Sequence, residues 1–197
     1  MKAYYEARAR EYDDWYQGLG RFDGLARPRW NEELRELERT LATLSPKRTI
    51  DIACGTGFLT RHLCGEITGL DGSPGMLRIA RSRLPTATLV EGDALDLPFA
   101  NDTFERALTG HFYGHLEPQA RDRFLHDAKR VAPELVVVDA TLRPGREREA
   151  RQERTLNDGS RWDVYKRYFE PDELAAELGG GEILLAGHWF VVVRTPA

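Results

Sequence analysis

Residues 49–81, TIDIACGTGFLTRHLCGEITGLDGSPGMLRIAR, decide how this chain is read. An apolar run, 48–53, ends in a Gly-Thr-Gly turn, and an amphipathic segment from Phe58 to Cys64 follows it as a helix. A second apolar run, 66–71, closes on Asp71. Ser73-Pro74 then supplies an N-cap and a proline in the first turn. They open a helix with Met76, Leu77, Ala80 and Leu84 turned inward.

The same alternation continues outward from this stretch. ATLVEGD (87–93) and RALTGH (106–111) read as a third and a fourth strand, and Pro118 opens a helix with Phe124, Leu125, Ala128 and Val131 on one face. ELVVVDA (134–140) is the most apolar strand, as expected at the centre of a sheet covered on both faces. A helix over 171–178 precedes EILLAG (182–187) and HWFVVVRT (188–195), which are close enough to form an antiparallel pair. Upstream, residues 1 to about 17 read as a short helix rich in tyrosine and charge. Trp30, Leu34, Leu37, Leu41 and Leu44 make a second helical stripe. Repeated strand-helix alternation predicts a largely parallel α/β sheet with helices on both faces. Residues 141–169 resist the pattern, and a connection that long inside a compact domain is usually functional or mobile.

The chain has 197 residues, with 41% hydrophobic and 30% charged residues, the profile of a single globular domain. A formal net charge of −4 argues against the broad basic footprint of a nucleic-acid binder. The N-terminus, MKAYYEARAREYDDWY, lacks the apolar core of a signal peptide, and no apolar run approaches the roughly 18 residues of a membrane span. A cytoplasmic protein without nucleic-acid or membrane partners is the expectation. Cys54 and Cys64 lack metal-ligand spacing and read as small buried residues.

Ligands of open α/β sheets bind at the carboxyl ends of the strands. Gly55 and Gly57 fall where the first strand ends, and glycine there permits positive φ and a close ligand approach. A dinucleotide fingerprint wants a third small residue three positions after the second glycine. Thr60 stands there instead. A phosphate-binding loop would need Gly-Lys-Ser/Thr, and Phe58-Leu59-Thr60 occupies that place. Asp71 closes the second strand and Asp93 follows the third. Two carboxylates and no basic residue suit a cationic, hydroxyl-bearing ligand better than a pyrophosphate.

On these residues the chain resembles the class I S-adenosylmethionine-dependent methyltransferases of the small-molecule, methyltransferase-11-like type. DIACGTG (51–57) is similar to their first motif, with Ala53 in place of its first glycine. GLDGSPGMLRIAR (69–81) is similar to the second, and VEGDALDLPFANDTFERAL (90–108) to the third with its following Leu-Pro-Phe segment. The resemblance implies a Rossmann-like three-layer sandwich around a mostly parallel seven-stranded sheet ending in an antiparallel hairpin. It implies one domain over 1–197, comprising an N-terminal helical lid (1–45), a cofactor-binding core (46–140), a substrate wall (141–169) and a C-terminal helix and strand pair (170–197).

The resemblance also implies S-adenosylmethionine as cofactor, with no metal, and a small-molecule methyl acceptor. Asp71 would accept from the ribose hydroxyls, and Asp93 from the adenine amino group, with the Ala94 N–H reaching the ring. Gly55 and Gly57 would lie against the methionine part, Asp51 near its amino group, and Met76 on the adenine face. Ala53, Gly72, Gly92 and Tyr12 complete the expected cofactor contacts. At the end of the fourth strand, TGHFYGHLEP places His111, Tyr113 and His115 near the methyl group, as proton acceptors or polarising partners. Tyr5, Tyr12 and Tyr16 recur at roughly helical spacing, and related enzymes use an N-terminal aromatic helix as a lid. In SRWDVYKRYF (160–169), Trp162, Tyr165, Lys166, Arg167 and Tyr168 suit a planar or anionic substrate. The acceptor atom stays open among oxygen, nitrogen and carbon. Two other classes remain as alternatives: a nicotinamide-dependent oxidoreductase, and a non-catalytic cofactor-binding module acting through a partner.

Overall fold

The computed structural model describes residues 2–196. The N-terminal segment folds as helix α1 (Lys2–Arg8), a single 3-10 turn and helix α2 (Asp14–Gln17), followed by α3 (Trp30–Ala42). The central strands are β1 (Lys47–Ile52), β2 (Gly65–Asp71), β3 (Thr88–Glu91), β4 (Arg106–Gly110) and β5 (Glu134–Ala140). Between them lie α4 (Pro74–Arg83) and α5 (Pro118–Val131). An antiparallel hairpin, β6 (Glu149–Thr155) and β7 (Arg161–Arg167), precedes α6 (Pro171–Glu177), β8 (Glu182–Ala186) and β9 (Phe190–Arg194).

Seven strands form one sheet in the order β3-β2-β1-β4-β5-β9-β8. The pairs among β1 to β5 are parallel, and β9 runs antiparallel to both β5 and β8. This is the Rossmann-like, mostly parallel sheet ending in an antiparallel pair that the sequence predicts. Side chains alternate across it with the period of two that a pleated strand imposes. Leu135 and Val137 pack with Phe124, Ala128 and Val131 of α5 on one face. Val136 and Val138 pack with Trp30, Leu37 and Leu41 of α3 on the other. Leu37 and Leu41 have no solvent exposure, and burial of such a side chain contributes roughly 1.5–3 kcal/mol. Ser73 caps α4 as predicted, its hydroxyl accepting from the Met76 N–H at 3.1 Å.

Three expectations are corrected. Phe58 to Cys64 is not a helix: only Thr60–His62 forms a 3-10 turn. The strand pairing explains it: β2 runs parallel to β1 and begins opposite Lys47, so residues 53–64 must return the length of β1, and the chain is extended again at Leu63. Cys64 is therefore exposed at the strand entrance, whereas Cys54 is buried. The expected first helix is broken at Tyr12 and Asp13 into α1, the 3-10 turn and α2. Finally, the unexplained connection 141–169 contains the β6–β7 hairpin. Its Asn157-Asp158-Gly159 turn puts Gly159 at φ +86°, with the Asp158 carboxylate accepting from the Ser160 N–H at 2.9 Å.

Candidate active site

The sheet reverses direction of winding between β1 and β4, and the loops leaving those strands diverge into a crevice. A cavity of about 750 Å³ opens there, lined by Ala53 and Gly55 after β1, Asp71 and Gly72 after β2, and Gly92, Asp93 and Ala94 after β3. Met76 of α4 and Tyr5 and Tyr12 of the N-terminal segment close it.

Each carboxylate has a distinct setting. Asp71 is buried, and its two oxygens accept from the Gly55 N–H at 2.9 Å and the Ser73 N–H at 2.8 Å. Burial raises its pKa, while those N–H donors pull in the other direction. A carboxylate has about four acceptor positions, so two protein bonds leave capacity for a ligand. Asp93 is exposed and bonds through Oδ1 to the Leu95 N–H at 2.9 Å.

Two of the expected cofactor contacts lie beneath the cavity rather than on its wall. Asp51 is buried under the glycine turn, where Oδ2 accepts from the Thr60 hydroxyl at 2.6 Å and Oδ1 has no partner. Gly57 faces α4: a Cβ there would stand 2.7 Å from Leu84 Cδ1, so its small size serves packing. Thr60, read from the sequence as an obstacle to a dinucleotide, thus holds Asp51.

A second cavity, of about 690 Å³, adjoins the first, and Tyr5, Tyr12 and His111 line both. His111 sits at φ +55° at the end of β4, with its Nε2 buried and unpartnered. Burial lowers its pKa to about 4, against the opposing effect of the Asp139 carboxylate 4.0 Å from Nδ1. His115 lines the second cavity. Its Nδ1 lies 2.7 Å from the Tyr165 carbonyl; because a carbonyl only accepts, Nδ1 carries the proton and Nε2 keeps a lone pair. Burial, with Lys166 and Arg154 nearby, holds its pKa well below the usual histidine range.

Five expected positions lie away from both cavities. Tyr113 is buried between α5 and α6, its hydroxyl donating to Glu177 at 2.6 Å and its ring stacked on Phe169. Tyr16 stacks on Phe58 at 4.0 Å in the core against α3. Trp162 packs on Tyr4. Arg167 pairs with Glu177 at 2.7 Å, and the Tyr165 hydroxyl donates to Glu149 at 2.6 Å. The reason for the last two is strand parity. On β7, Tyr165 and Arg167 share one face, while Lys166, and Tyr168 just beyond, face the second cavity. Of the five residues expected in this segment, Lys166 and Tyr168 form the wall, and Tyr165 contributes through its backbone carbonyl.

Other residues escaped sequence reasoning. Glu6 accepts from the Ser73 hydroxyl at 2.5 Å and the Gly75 N–H at 2.8 Å, fastening α1 to the start of α4. Asp13 accepts from the Thr56 hydroxyl and from Arg83, each at 2.6 Å, fastening α2 over the glycine turn. Only their acidic character was visible, because their partners lie tens of residues away.

A family model described as a methyltransferase domain matches residues 50–134. Over 110 residues the chain is 37% identical to a demethylmenaquinone methyltransferase of Thermotoga maritima, covering 52% of this chain and 45% of that one. It is 36% identical over 140 residues to a dTDP-3-amino-3,6-dideoxy-alpha-D-glucopyranose N,N-dimethyltransferase of Streptomyces fradiae, covering 66% and 51%. The chain thus spans about half the length of these curated relatives. A solved structure titled as a DhpI-SAH complex superposes with a TM-score of 0.74 at 25% identity, covering 99% of this chain and 95% of that one. Sheet order, motif placement and these likenesses agree, and together they support a class I S-adenosylmethionine-dependent methyltransferase.

Proposed function

We propose that this chain transfers a methyl group from S-adenosylmethionine to a small-molecule acceptor. The observation that carries the reading is the pair of adjoining cavities, which meet at His111, Tyr5 and Tyr12. One has the donor set for an adenosine-bearing cation; the other has room for a second reactant.

The first cavity suits that cofactor on chemical grounds. Asp71, Glu91 and Asp93 line it, and its one basic wall residue among the described residues, Lys2, pairs with Glu91 at 3.1 Å. A pyrophosphate would find carboxylates where it needs cations. A ribose would find acceptors in Asp71, and an adenine amino group one in Asp93, with Met76 and Leu95 as apolar walls. Gly55, at φ +56°, leaves the turn backbone open to close approach.

When bound, S-adenosylmethionine supplies a methyl group on a sulfonium, already activated for displacement. The chain's own task is then alignment and exclusion of water, catalysis by proximity and orientation. Tyr5 and Tyr12 roof the junction, and burial raises the pKa of both phenols, so they stay neutral hydrogen-bonding groups. His111, kept neutral by burial and lining both cavities, is the residue placed to receive a hydrogen bond or proton from an acceptor hydroxyl or amine, once a side-chain movement exposes its enclosed Nε2. His115 Nε2 offers a second lone pair deeper in the acceptor cavity.

The test is calorimetric titration with S-adenosylhomocysteine and, separately, NAD⁺. The homocysteine nucleoside is expected to bind and NAD⁺ is not. Asp93→Ala, which touches no bond of the glycine turn, should weaken binding about 10-fold or more, since a hydrogen bond to a charged group contributes roughly 1.5–3 kcal/mol. Binding of NAD⁺ in place of the nucleoside would overturn the assignment.

A further inference from the structure

The acceptor cavity has a charge pattern opposite to that of the chain. The whole sequence carries 32 acidic and 28 basic residues. Yet seven cationic side chains line this one cavity, against two carboxylates, Glu11 and Glu153. Both carboxylates are engaged elsewhere: Glu11 accepts from the Asn157 N–H at 2.8 Å, and Glu153 lies 3.6 Å from Arg161.

The decisive group is Arg8. It is only 7% exposed, and among the described residues no carboxylate lies within ion-pair distance of it. Its guanidinium rests 4.9 Å from the Tyr12 ring centroid and donates to the Tyr4 hydroxyl at 3.2 Å. A buried cation without a counterion is costly to fold, and two tyrosine rings offset only part of that cost. Arg154, across the cavity on β6, donates to Gln152 at 3.0 Å and also has no carboxylate partner among the described residues. Lys166 stands on the same wall but is already neutralised by the buried Asp139. Arg8, Arg154, Lys166 and His115 all line this one cavity.

We propose that the acceptor is a small organic acid, whose anionic group, a carboxylate or a phosphate, is held by Arg8 and Arg154 beside Tyr5 and His115. The anion completes the charge pairing that the chain leaves open. It also orients the acceptor, because the same cavity shares Tyr5, Tyr12 and His111 with the cofactor space. A neutral or cationic acceptor would leave Arg8 uncompensated. The proposal names the substrate class of the methyl-transfer reading and rests on it.

The experiment uses the full chain, first loaded with S-adenosylhomocysteine, at constant ionic strength in chloride. Inorganic phosphate and benzoate are titrated separately, and the thermal midpoint and heat of binding are followed. At least one should bind and raise the midpoint above the chloride control. A stronger response to phosphate assigns a phosphate-bearing acceptor; a stronger response to benzoate assigns a carboxylate. Arg154→Gln, a half-buried position, should weaken that binding about 10-fold or more while leaving the affinity for the homocysteine nucleoside unchanged. Arg8→Lys, which keeps the charge but loses the planar fork, should weaken it less than Arg154→Gln does.

Nucleoside binding with no response to either anion would overturn the proposal and leave the methyl-transfer reading standing. An anion response of equal size in wild type and Arg154→Gln would also overturn it. Absence of nucleoside binding would strike the methyl-transfer reading itself, a separate and distinguishable failure.

Discussion

Ala53 holds a left-handed backbone, φ +61°, at the first position after β1, where the family motif has glycine. For an L-residue with a Cβ this conformation costs roughly 1–2 kcal/mol, and the methyl group it retains lines the cofactor cavity. Ala53→Gly relieves the strain but adds freedom to the unfolded chain. The balance should stabilise by about 1 kcal/mol or less, read as a Tm rise of up to about 2–4 °C. An unchanged or lowered Tm would mean that the Cβ contacts outweigh the strain. Asp51, two residues earlier, titrates in an unusual window. Burial, opposed by the Thr60 hydroxyl and reinforced by the Asp71 charge, pushes its pKa up to about 7, against about 3.9 for an unfolded aspartate. Between those values the folded chain holds a proton that the unfolded chain has released, so stability from this group falls as pH rises from about 4 to 7 and levels off above. Asp51→Asn should flatten that part of the profile. Thermal unfolding of both proteins at several pH values between 4 and 8 checks it, and parallel profiles would refute the assignment.

Elements were legible in proportion to how strongly apolar periodicity marked them. Trp30, Leu37 and Leu41 of α3, and the Val136–Val138 run of β5, announced both their element and their buried faces, because packing against a sheet demands that pattern. The glycine turn, Asp71 and Asp93 were legible because their chemistry needs particular residues at particular strand ends. The β6–β7 hairpin was not. Its first strand, EARQERT, alternates in exposure but carries almost no apolar residue, so a period-two pattern existed in burial without one in hydrophobicity. The Asp158-Gly159 pair was the available signal for a hairpin turn. Without the hairpin, the parity of β7 could not be known, and the sequence does not separate Lys166 and Tyr168, which face the cavity, from Tyr165 and Arg167, which do not. Tyr113 misled for a related reason. A tyrosine near a strand end looks the same in sequence whether its hydroxyl meets a ligand or, as here, Glu177.

At the scale of the molecule, residues 2–17 cover both cavities yet belong to no sheet. Tyr5 and Tyr12 form the shared roof, and the segment is fastened by polar contacts that include Glu6 to the start of α4, Asp13 to Thr56 and Arg83, Lys2 to Glu91 and Glu11 to the Asn157 N–H. Elements held by few contacts open at lower free energy than the core they rest on. Because Tyr5 and Tyr12 line both cavities, one motion of this segment should govern exchange at both. Asp13→Ala removes the half-buried pair with Arg83 and the Thr56 bond while leaving every wall residue of both cavities in place. Amide exchange in residues 2–17 should then quicken, with β1, β4 and β5 unaffected. Dissociation of S-adenosylhomocysteine should accelerate about 10-fold, the kinetic equivalent of one charged hydrogen bond. If the anion site proposed above is correct, phosphate or benzoate should leave faster by a similar factor, since Arg8 rides on the same segment. Faster exchange throughout the sheet would mean instead that Asp13 supports the whole fold. Faster loss of the nucleoside alone would mean that the two cavities have separate entrances.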